Sequence, residues 1–101
     1  MEKLPGECNN IEEIRNSIDA IDKEILKQLG ERYKYVKEII RFKEPTKDSI
    51  IAKKRYNEVI AKRREWAKMV GLSPDVIEKI YKILINYFIQ EEMSIINNNK
   101  K

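Results

Sequence analysis

The stretch Ile11-Glu12-Glu13-Ile14-Arg15-Asn16-Ser17-Ile18-Asp19-Ala20-Ile21-Asp22-Lys23-Glu24-Ile25 sets isoleucine at intervals of three and four residues. That spacing follows the 3.6-residue turn of an α-helix, so the isoleucines share one stripe. The stripe continues through Leu29, Val36 and Ile39/Ile40, which makes the first element one long helix. Asn10 stands at the N-cap with Glu13 three residues on, and Pro45 stops the helix by disfavouring helical geometry at Glu44. Gly30 lies inside at a cost of about 1 kcal/mol, too little to break so sustained a period.

Two more helices follow. The second is expected from about Ser49 to Val70, with Gly71 as a left-handed cap. Ser73-Pro74-Asp75 then supplies a cap, an N1 proline and a first-turn acid for a third, reaching about Ile96. Residues 1–9 and 97–101 are expected as flexible ends. With only 3 Gly and 3 Pro in 101 residues, and 38% of them charged, the chain reads as one all-α domain over 1–101.

The first helix is too long for that domain. Some 32 residues at about 1.5 Å each span about 48 Å, whereas a compact domain of this size has a radius of gyration near 13 Å. The overhang needs a cover. Antiparallel two-fold pairing with the first helix of a second copy supplies one and predicts an intertwined homodimeric helical bundle. A kink at Gly30 giving a monomeric bundle is the plainer alternative.

Composition removes several chemistries. There is no histidine, so Ser-His-Asp and Cys-His catalysis are excluded, and the commonest general base and zinc ligand are missing. Cys8 is the single cysteine, with no partner for an intramolecular disulfide and no histidine to activate it. No cofactor or metal is implied. The start of the chain lacks an apolar segment of signal-peptide length, and no stretch approaches the roughly 20 apolar residues of a membrane span, so a cytoplasmic protein is expected. The net charge of +4 suits an anionic small molecule as well as nucleic acid.

Several charges stand on the apolar stripes themselves. Along the first helix the series Ile25, Leu29, Arg32, Val36, Ile39, Lys43 puts two cations where the pattern asks for leucine or isoleucine. The second helix gives Ile51, Arg55, Val59, and the third gives Ile77, Tyr81, Leu84, Phe88, Glu92, Ile95. Taken singly, each charge snorkels to water or joins an internal ion pair. Taken together, three cations and one acid converging from three helices describe a lined pocket for an anion. Arg15 joins them at the edge of the stripe. It lies 17 residues, about 26 Å, from Arg32 on one helix, too far for both to grip one small ligand. Antiparallel pairing resolves this by building each site from Arg15 of one subunit and Arg32, Lys43, Arg55 and Glu92 of the other.

At these residues the chain resembles the helical chorismate mutase family, and within it the isochorismate-pyruvate lyase branch. The resemblance is carried by Ile14-Arg15, Ile18-Asp19, Ile21-Asp22, Arg32, Tyr35-Val36-Lys37, Arg41-Phe42-Lys43, Arg55, Trp66-Ala67, Gly71-Leu72 and Ile89 to Met93. It implies an intertwined dimer whose two sites each bind a dianionic substrate, chorismate or isochorismate, in a ring-like pose. By position, Arg15 of the partner and Arg32 would grip the two carboxylates, and Arg55 would assist. Lys43, with Glu92, would address the ether oxygen where negative charge develops as the C–O bond breaks. Glu44 to Asp48 would close over the ligand. A pericyclic reaction needs no nucleophile or proton shuttle, which suits a chain without histidine.

Two positions depart from the family pattern. Tyr56 stands where many mutases carry a Glu that reads the ring hydroxyl, and Glu92 stands where Gln is common. The primary expectation is conversion of chorismate to prephenate, since the 12 residues from Lys43 to Arg55 match the mutase connection. Cleavage of isochorismate to salicylate and pyruvate is the alternative. A basic helical module binding nucleic acid or protein is the reading from another class. It would need its cations on one exposed face, whereas Arg15, Arg32 and Lys43 follow the apolar stripe, so neither nucleic acid nor membrane is expected as a partner.

Overall fold

The computed structural model describes residues 3–42, 46 and 52–99. Among them are three α-helices and no strand: α1 Ile11–Ile39, α2 Lys53–Met69 and α3 Pro74–Asn99. Single 3-10 turns at Pro5–Glu7 and Ile40–Phe42 flank α1. The all-α expectation with a long first helix holds. The chain divides into two compact units, Met1–Tyr35 and Val36–Lys101.

In the first unit α1 starts where Asn10 predicts. The Asn10 Oδ1 accepts the Glu13 backbone N–H at 2.9 Å, which satisfies one of the free donors of the first turn. The Glu13 carboxylate reaches one residue beyond a capping box, accepting the Asn9 N–H at 3.0 Å and the Lys3 ammonium at 2.9 Å. Those bonds, the Asn9 N–H foremost, hold its pKa below the ordinary carboxylate value. Residues 3–9, expected as a flexible lead, therefore carry a turn tied back to the helix they precede.

α1 is 29 residues, about 44 Å, and runs through Gly30 unbroken. Its surface is laced by Glu12–Arg15 and Glu31–Lys34 pairs, and Glu38 pairs with Arg41 of the 3-10 turn that follows, acid before base at i,i+3 in each. Such exposed pairs contribute a few tenths of a kcal/mol each. No residue of α1 is buried. Ile11, Ile14, Ile18, Ile21 and Ile25 each leave between 43% and 58% of their surface exposed.

In the second unit α2 and α3 form a hairpin. Gly71 adopts φ +79°, and the Leu72 N–H donates to Ala67 O at 2.9 Å while the Gly71 N–H donates to Lys68 O at 3.2 Å. That is a Schellman motif, and it needs a residue tolerant of left-handed geometry at position 71. Ser73 caps α3, its Oγ accepting the Val76 N–H at 3.3 Å. Arg64 of α2 bonds Asp75 at 2.9 Å and Glu78 at 3.0 Å, and the Arg63 guanidinium stacks between Trp66 at 4.7 Å and Tyr81 at 5.5 Å. The last part of α2 thus faces the first part of α3, which makes the helices antiparallel. Val59, Ile60 and Ala67 of α2 and Phe88 and Ile96 of α3 are buried, and Ala67 lets the helices approach beside the turn.

Two boundaries differ from expectation. Ala52 is left-handed at φ 45°, which a right-handed helix cannot contain, so α2 begins at Lys53 rather than near Ser49. Residues 49–51 lie outside the described residues. α3 extends to Asn99, three residues past the Ile96 expected from the spacing, with Ile96 buried on its last turns.

Candidate active site

Each predicted site residue has a definite place except Lys43, which lies outside the described residues together with Glu44, Pro45, Lys47 and Asp48. Arg15 lies in the second turn of α1, exposed, its Nη1 3.1 Å from Glu12 Oε1. Arg32, on the same helix, is half-buried. The unbroken rod between them confirms the separation of about 26 Å. One chain therefore does not bring these two arginines together.

Arg55 and Glu92 share the hairpin unit. Arg55 is exposed in the first turn of α2, some 22 Å along the axis from the turn at Gly71, and Glu92 lies about 27 Å along α3 from the same turn. In an antiparallel pair both sit toward the end of the hairpin remote from that turn. Glu92 is the one charged side chain among the described residues that is buried, at 5% exposure. It lies on a row with Phe88 and Ile96, one turn from each, as the apolar spacing of α3 predicts. A carboxyl group on an apolar row is a place where a charged or polar group is held inside the packing.

Tyr56, the first departure, is half-buried on α2 and acts electrostatically on Lys82. Lys82 donates to Glu78 at 2.8 Å, and that bond is the main reason its pKa is raised. Glu78 is correspondingly held below the ordinary carboxylate value, first by Lys82 and then by Arg64, while Arg64 is raised chiefly by Asp75. Tyr56 is thus associated with an ion-paired flank of the hairpin. No acid stands at position 56 to read a ring hydroxyl.

Among the described residues no three His, Cys, Asp or Glu side chains group as metal ligands, and no helix is long and apolar enough to cross a membrane. A cation-rich first turn of α2, Lys53-Lys54-Arg55, reads in the sequence as a solvated face. Its significance beside Arg55 depends on pairing, which sequence alone does not show.

The family model described as chorismate mutase type II matches residues 14–93. The chain belongs to the chorismate mutase type II family. The match begins one residue before Arg15 and ends one after Glu92, so it spans every candidate site position and draws on both compact units. The isochorismate pyruvate lyase of Pseudomonas aeruginosa is 34% identical over 91 residues, which cover 90% of this chain and 89% of that protein. This chorismate mutase family member therefore aligns with a lyase relative over about nine-tenths of each chain.

Proposed function

We propose that the chain is a cofactor-free pericyclic enzyme acting on a chorismate-type dicarboxylate, converting chorismate to prephenate in a single domain that spans residues 1–101. The observation that carries this reading is the chorismate mutase type II match over residues 14–93, which holds Arg15, Arg32, Lys43, Arg55 and Glu92 in order. In the rearrangement the ether C–O bond breaks as a C–C bond forms, and no proton is exchanged with the protein. Catalysis reduces to holding the folded substrate and stabilising charge at the ether oxygen. Arg32 and Arg55 bind carboxylates, Arg15 is supplied by a second copy, and Lys43 donates to the ether oxygen. Glu92 stands with Lys43 at the same oxygen.

The second copy is favoured by the exposed stripe of α1. Covering five half-exposed isoleucines is worth roughly 1 kcal/mol each, enough to hold an antiparallel pair once both copies contribute. Sedimentation should give a dimer at micromolar concentration, with a thermal midpoint that rises with protein concentration. A well-folded monomer would contradict it.

Isochorismate-pyruvate lyase activity is a second reading, and two observations favour it. The relative that aligns over 90% of the chain is named for it, and position 56 holds tyrosine in place of an acid. There the ether C–O bond breaks as a ring hydrogen moves to the enolpyruvyl methylene, releasing pyruvate and an aromatic acid. Loss of the absorbance of chorismate or isochorismate on adding protein, abolished by Arg32→Ala, tests both readings. Indifference to both substrates would overturn them.

A further inference from the structure

We draw no further inference here: the strongest candidate, the exposed apolar face of α3 formed by Val76, Ile80, Ile83 and Tyr87, carries nothing, because nothing in the structure shows what covers it.

Discussion

Sharing of the site between two copies has a quantitative consequence. α1 is continuous from Ile11 to Ile39, so Arg15 and Arg32 of one chain stay about 26 Å apart, and under the proposed function they serve different sites. Arg15→Ala and Arg32→Ala chains should each be nearly inactive as homodimers, because each loses a carboxylate grip in both sites. Unfolded together in equal amounts and refolded, they assort so that half of the dimers are mixed. In a mixed dimer one site takes Arg15 from one chain and Arg32 from the other and is intact, while its twin carries both lesions. A quarter of all sites are then restored. Steady-state turnover of the refolded mixture should approach a quarter of the parent's at equal chain concentration, against a baseline from each variant refolded alone. Recovery no greater than that baseline, with mixed dimers demonstrated by mass spectrometry of differently tagged chains, would mean that each site belongs to one chain.

Glu92→Gln supplies a permanent N–H donor of the same shape, so its kcat/KM should equal or exceed the parent's; a much slower Gln variant would refute donation to the ether. Gly30 inside α1 and Gly71 in the turn after α2 should respond oppositely to alanine, although neither added Cβ meets an atom within 4 Å: Gly30→Ala should raise the thermal midpoint by an amount worth about 0.5–1 kcal/mol, and Gly71→Ala should lower it by about 1–2 kcal/mol because φ is +79°. Glu78 has a folded pKa below its unfolded value, so its contribution is present above the ordinary carboxylate range and is lost as pH falls through the folded value. Thermal midpoints should accordingly drop below about pH 4, and Glu78→Gln should lower the midpoint at pH 6 while flattening that drop.

Much of this architecture is legible in the chain because local rules and the fold agree. The isoleucine spacing, the Asn10 and Ser73 caps and the Gly71 turn each act within a few residues, and each is realised where the spacing puts it. The place of Glu92 on the apolar row was equally legible, and the side chain is buried where that spacing puts it. Ala52 was not, because alanine carries no preference for left-handed geometry and the helix start it marks arises from context. Nor was the last turn of α3, which runs through three asparagines past the buried Ile96. Pairing of charges is a matter of rotamers and order along the helix, so the difference between paired Arg15 and unpaired Lys54 emerges only in three dimensions. Assembly of Arg15 with the remaining site residues is proposed as a property of two chains, on which one chain's contacts do not bear.

The central claim is that this chain binds a dianionic enol ether and breaks its C–O bond without a cofactor. Its most direct test is incubation of metal-free protein with chorismate and, separately, isochorismate, with all products resolved by chromatography. The account predicts that chorismate yields prephenate or isochorismate yields salicylate and pyruvate in equal amounts, at a rate proportional to dimer concentration and abolished by Arg32→Ala. Recovery of both substrates unchanged from a folded dimer would contradict it.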